Sequence, residues 1–121
     1  MTDKKKVHDS RVWQRMGLEL VLLDALISEI HVDKEFCAVM DMKTWDRLFK
    51  VSNHVKMLRA ECESRMAKYI PDWDTKTFYP NDRTLINEIL ESVRQELKDS
   101  LPAPPMVRDS AVPNRKENSN E

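Results

Sequence analysis

Apolar residues recur at steps of three and four along about the first hundred positions, the spacing that gathers them on one side of an α-helix. This pattern predicts long helices over about residues 10–31, 44–70 and 82–101. It also predicts a short helical segment over about residues 33–41, where the apolar run equally fits a loop or a buried strand. Residues that commonly cap helices stand near each start, namely Ser10, Asp33, Thr44, and Asn81 or Asp82. We therefore predict an all-α fold, a three-helix bundle with a long antiparallel helical hairpin.

The first helix carries apolar residues on two sides. Its main stripe consists of Val12, Met16, Leu20, Leu23, Ile27 and Ile30, and its second stripe of Leu18, Val21, Leu22 and Ala25. A helix that is apolar nearly all round is either the central element of a bundle or offers a second face to another chain. The second stripe is accordingly a candidate partner surface, through which we expect self-association. Between the stripes lies a narrow polar strip, expected to face water, with Gly17, Asp24, Ser28 and His31.

Two charged residues interrupt the stripes that should pack together. The apolar stripe of the second helix consists of Leu48, Val51, Val55, Leu58, Cys62, Met66 and Tyr69. Glu19 falls within the main stripe of the first helix, and Arg59 within this stripe of the second. If the two helices fold back around residues 32–43, both side chains lie at a similar distance from the turn. We predict that they form an ion pair, because an isolated buried charge costs several kcal/mol. Alternatively, both side chains extend to water at the boundary of the core.

The charge balance gives no overall attraction to nucleic acid or to an anionic membrane, since 20 Lys and Arg face 21 Asp and Glu. One local feature stands out on the second helix, a basic stripe of Lys43, Arg47, Lys50, His54, Arg65 and Lys68. Such a stripe is either a solvated face or a surface for a phosphate backbone or an acidic protein. No apolar run approaches the roughly 20 residues that span a bilayer. We expect no membrane association and a cytoplasmic protein, in which Cys37 and Cys62 remain reduced.

Residue patterns that carry catalysis or bind metals are missing from the sequence. No Glu has a His three residues later, as helical two-metal sites require, and the three histidines stand in separate segments. The Asp72-x-Asp74 pair lacks the glycine and terminal glutamate of a calcium loop. A single glycine leaves no phosphate-binding loop. We therefore predict no enzymatic activity, no cofactor and no metal.

The segments outside the helices complete the prediction. Residues 1–9 are expected to be a flexible arm, residues 10–101 the helical domain, and residues 102–121, rich in proline and polar residues, a disordered tail. The connector between Pro71 and Pro80 holds three aromatic residues, Trp73, Phe78 and Tyr79, which either contact a partner or cover the end of the bundle. The sequence thus predicts a small accessory, adaptor or inhibitor that binds a larger protein. A nucleic-acid-binding factor that uses the basic stripe is the alternative.

Overall fold

The computed structural model describes residues 2–104, which are mostly helical and contain no β-strand. The four α-helices of this range are α1 (Ser10–Val32), α2 (Lys34–Val39), α3 (Met42–Tyr69) and α4 (Thr84–Ser100). Two short 3-10 turns are also present. Lys6–His8 precedes α1, and Thr75–Thr77 lies in the connector between α3 and α4. The predicted all-α fold is confirmed, and residues 33–41 contain a helix rather than a strand. Most of the predicted tail, residues 105–121, lies outside the described residues.

Aspartates cap the first three helices. Asp9 accepts a hydrogen bond from the backbone N–H of Arg11, Asp33 from two backbone N–H groups at the start of α2, and Asp41 from the N–H of Thr44. A carboxylate in this position satisfies otherwise unpaired donors and interacts favourably with the helix dipole. Of the caps expected from sequence, Asp33 is therefore correct. Ser10 and Thr44 are not the caps, because each lies within the first turn of the helix that the preceding aspartate caps.

Helix α1 contacts α2, α3, α4 and both 3-10 turns. Near its start, Trp13 packs in one buried cluster with Met66, Ile70 and Phe78. Further along, the buried side chains Val21 and Ala25 form a second cluster with Ile86 and Leu90 of α4. The two sides of α1 are thus covered by different parts of the chain, which explains why its sequence is apolar nearly all round.

The polar strip of α1 does not face water as a whole. Gly17 and Asp24 are buried, His31 is half-buried against the ring of Trp45, and Ser28 alone is exposed. A Cβ atom at Gly17 would lie less than 3.0 Å from the carbonyl oxygen of Thr77, so the connector backbone passes directly over this glycine. The expectation of a water-facing strip is therefore wrong at Gly17 and Asp24, because the connector and α3 pack where the strip lies.

The segment before α1 lies against the ends of α1 and α3. The indole N–H of Trp13 donates to the carbonyl of Val7 at 2.8 Å, and His8 Nδ1 lies 3.1 Å from the carbonyl oxygen of Tyr69. These two contacts join the start of the chain to both helices. The flexibility expected of residues 1–9 stays a prediction.

Candidate interaction surfaces

A buried ion pair joins α1, α3 and the connector. The Arg59 guanidinium donates to Asp24 Oδ2 at 2.6 Å and, through its other terminal nitrogen, to the carbonyl of Phe78 at 2.6 Å. The side chains of Asp24 and Arg59 are only 10% and 8% exposed. Lys56 adds a longer contact of 3.3 Å to Asp24, and the ring of Tyr79 lies 4.6 Å from the Arg59 guanidinium carbon. One arginine therefore holds three segments of the chain together.

The predicted pair of Glu19 and Arg59 is not formed. Glu19 is exposed and accepts a hydrogen bond at 3.0 Å from Arg15, one turn earlier in the same helix. Glu19 and Asp24 are turned about 140° from each other on the helix, and it is the Asp24 side that faces α3. The expectation was wrong because it took the most apolar stripe of α1 to be the side that α3 covers.

The predicted partner surface on the second stripe of α1 is largely covered. Val21 and Ala25 are buried by α4, and Leu22 is half-buried against the same cluster. Leu18 is exposed. The stripe therefore offers no continuous apolar surface to another chain, since α4 occupies it.

The aromatic residues of the connector divide between core and surface. Phe78 is 0% exposed within the cluster around Trp13, so it is not the partner contact that was one interpretation of the connector. Trp73 and Tyr79 remain exposed. The alternative interpretation, that the aromatics cover the end of the helices, is correct for Phe78.

All six residues of the basic stripe are exposed on α3. Lys50 pairs with Asp46 at 3.2 Å, and Arg65 contacts the N-terminal segment by donating to the hydroxyl of Thr2. Neither contact removes the side chain from solvent. The stripe can therefore meet an anionic partner, which stays a prediction.

Four further apolar side chains were not singled out in the sequence as a candidate surface. Each is 40–49% exposed, and together they are called the open face below: Val12 and Leu23 of α1, and Val51 and Leu58 of α3. A shallow groove of about 280 Å³ follows its α3 side, lined by Lys50, Val51, His54, Val55 and Leu58. The sequence assigned these apolar residues to the packed stripes. Nothing in the pattern distinguishes a stripe that another helix covers from one left half-exposed.

A second apolar groove, of about 370 Å³, lies where α4 passes the end of α1. Leu26, Ile30, Phe36, Leu97 and Leu101 contribute its apolar lining. Arg94 spans the groove wall and donates to Asp33 at 2.8 Å. The pKa of the Asp33 carboxyl is lowered, mainly by the hydrogen bond from the backbone N–H of Phe36. The backbone N–H of Glu35 and the guanidinium of Arg94 lower it further. This ion pair fastens α4 to the junction between α1 and α2.

Within residues 2–104, no three His, Cys, Asp or Glu side chains come close enough together to hold a metal ion. In the same range, no helix has the length and apolarity that crossing a bilayer requires. Comparisons with protein-family models, with curated proteins and with solved structures gave no match.

Proposed function

We propose that this chain is a non-enzymatic interaction protein, an accessory factor, adaptor or inhibitor that binds a larger protein through the open face. The observation that supports this proposal is the open face itself: four half-exposed apolar side chains on two neighbouring helices, next to the basic stripe. Exposed apolar groups that share one surface are typical of binding sites. Burying the exposed part of each side chain would contribute about 1 kcal/mol.

The proposal includes an architecture in which α1 and α3 form an antiparallel hairpin of a three-helix bundle. Three contacts support it, because the residue numbers of the contacting residues rise along α1 as they fall along α3. Trp13 lies against Met66, Asp24 against Arg59, and His31 against Trp45. On this arrangement α1 is the central helix, with α3 on one side and α4 on the other.

In the proposed architecture, the four open-face residues would lie on one side of the hairpin. Leu23 precedes Asp24 and Leu58 precedes Arg59, so each is turned about 100° from the ion pair. In two antiparallel helices that face each other through this pair, both preceding residues lie on the same side. The connector is turned away from that side, since it contacts Gly17, which lies about 120° from Leu23 around α1.

The test is affinity purification from the native cell, with mass spectrometry, using the full chain and two variants. Leu58→Gln removes an apolar group from the open face, where Leu58 is 43% exposed, and Leu85→Gln removes a leucine of α4 that is 56% exposed. We expect a protein that is recovered with the wild type and with Leu85→Gln but lost with Leu58→Gln. A partner that survives Leu58→Gln would contradict the proposed site, and circular dichroism of both variants checks their folding.

A nucleic-acid-binding factor is the second candidate, favoured because all six basic residues are exposed. Phosphate contacts would make affinity fall steeply as salt rises, whereas an apolar interface responds much less. Anisotropy titrations of labelled duplex DNA and single-stranded RNA at two salt concentrations separate the candidates. Self-association, also expected from sequence, is tested by light scattering, and a monomer at tens of micromolar would contradict it.

A further inference from the structure

We infer that the ligand of the open face is an amphipathic helix of a partner protein, with acidic residues along one edge of its apolar stripe. This inference rests on the proposed function and specifies its partner. Shape, charge and the poorer fit of other ligands support it in turn.

The shape of the open face suits a helix. Val51 and Leu58 stand seven residues apart on α3, which corresponds to about 10.5 Å along the axis. An amphipathic helix presents anchors at the same repeat, and it packs into the trough between two helices as a further helix of a bundle. An extended peptide that binds by strand addition would need a free strand edge, and residues 2–104 contain no strand.

The positive charge of α3 beside the open face is the reason why acidic residues are expected along one edge of the partner helix. Arg47, Lys50 and His54 succeed one another at steps of three and four along α3, and Lys50 and His54 line the apolar groove directly. On the α1 side, Arg15 and Glu19 neutralise each other at 3.0 Å. On α3, Lys50 likewise contacts Asp46 at 3.2 Å, whereas Arg47 is exposed and makes no ion pair within residues 2–104. The α3 edge therefore keeps a net positive charge, and the α1 edge is balanced. A ligand with carboxylates on the α3 side would pair with the basic stripe while its apolar side chains cover Val51 and Leu58.

Other ligands fit this combination less well. A second copy of the chain would bring either its own basic stripe, which repels, or its α1 edge, where Glu19 is already paired with Arg15. A nucleic acid backbone would satisfy the charges but would leave the apolar residues of the groove in water. The acidic amphipathic helix is the ligand that uses both features.

The experiment uses the full chain and three synthetic peptides of about three heptads. The first has leucines at the apolar heptad positions and glutamates beside them, the second has lysines in place of those glutamates, and the third is the acidic composition in scrambled order. Fluorescence anisotropy measures their affinities beside those of a duplex DNA and a single-stranded RNA. We expect the acidic helix to bind at least about tenfold tighter than the other probes.

Charge reversal provides the matched control. The variant Arg47→Glu/Lys50→Glu should reverse the preference between the acidic and the lysine peptide, whereas Lys76→Glu/Lys98→Glu, with the same change in net charge at exposed sites elsewhere, should not. Circular dichroism verifies that both variants are folded.

The inference would be overturned by equal binding of the scrambled peptide, by tighter binding of either nucleic acid, or by a light-scattering dimer that Leu58→Gln dissociates. The proposed function is tested independently of this inference. A cellular partner that is lost with Leu58→Gln but retained with Arg47→Glu/Lys50→Glu would leave the proposed function standing and refute the acidic helix.

Discussion

Replacing Gly17 with Ala should destabilise the protein, although the same change in an exposed helix is stabilising. Alanine inside a helix is favoured over glycine by about 1 kcal/mol. At Gly17 the new methyl group would lie less than 3.0 Å from the carbonyl oxygen of Thr77 and 3.0 Å from its carbonyl carbon. These are backbone atoms, so a rotamer change does not relieve the contact, and the connector must move.

The movement would reach the core because Phe78 follows Thr77. Phe78 is fully buried in the cluster with Trp13, and its carbonyl accepts the hydrogen bond from Arg59. Overpacking of a well-filled site costs about 1–3 kcal/mol, and complete loss of a buried phenylalanine about 3–5 kcal/mol. A partial displacement of Phe78 costs about 2–4 kcal/mol, between these two cases, and subtracting the gain of about 1 kcal/mol in helix propensity leaves a net loss of about 1–3 kcal/mol.

Thermal and urea unfolding followed by circular dichroism would measure this loss. A change of 1 kcal/mol shifts the Tm of a domain this size by about 4–8 °C. Ser28→Ala is the matched control, since Ser28 lies exposed on the same helix and should change the Tm little, in the stabilising direction. A Gly17→Ala protein as stable as the wild type would refute the close passage of the connector.

Three further predictions concern charged and nucleophilic groups. Asp24→Asn and Arg59→Met should each lower the free energy of unfolding by about 3 kcal/mol, and a double-mutant cycle should show strong coupling between them. Glu19→Gln should show no coupling to Arg59→Met. The opposite pattern would support the Glu19–Arg59 pair expected from sequence. The hydrogen bonds that Asp41 accepts from the hydroxyl and backbone N–H of Thr44 lower the pKa of its carboxyl. Its contribution to the stability of the folded protein should therefore be complete above the ordinary pKa of 3.8 and be lost as the pH falls through the lower pKa of the folded state. Asp41→Asn should therefore flatten the dependence of the Tm on pH between about 5 and 2, and an unchanged slope would contradict the cap. Burial and the nearby charge of Glu61 raise the pKa of the Cys62 thiol. A thiol reagent near pH 8 should therefore modify the exposed Cys37 before Cys62. Equal rates of modification would count against the burial of Cys62.

The helices were predictable from sequence because they depend on local features. Every helix begins and ends within two residues of its predicted limits, as α1 does at Ser10 and Val32. Periodic apolar residues and the scarcity of glycine and proline are sufficient for that result. The caps were less accurate, because an aspartate one to three residues earlier accepts a hydrogen bond from the N–H of Arg11 or Thr44 and so caps the helix in place of Ser10 or Thr44.

The side of each helix that is buried was harder to predict. Asp24 was assigned to water because it lies in the narrow polar strip of α1, yet the guanidinium that neutralises it comes from 35 residues away. The carbonyl that completes the site belongs to Phe78, whose position depends on how the connector folds. No short-range pattern encodes such a contact. The open face was missed for a related reason, because an apolar stripe looks the same whether a neighbour covers it or not.

The three-way contact at Arg59 has a consequence for how the sequence can change over evolution. Arg59 uses two nitrogens of one plane to reach Asp24 and Phe78, whereas a lysine has a single nitrogen and would leave one acceptor without its donor. Gly17 is restricted as well, by the backbone of Thr77. Apolar core positions tolerate exchange among residues of similar size, so their identities drift. Distant relatives with this fold are therefore expected to share the widely spaced Gly17, Asp24 and Arg59 even where little else in their sequences agrees.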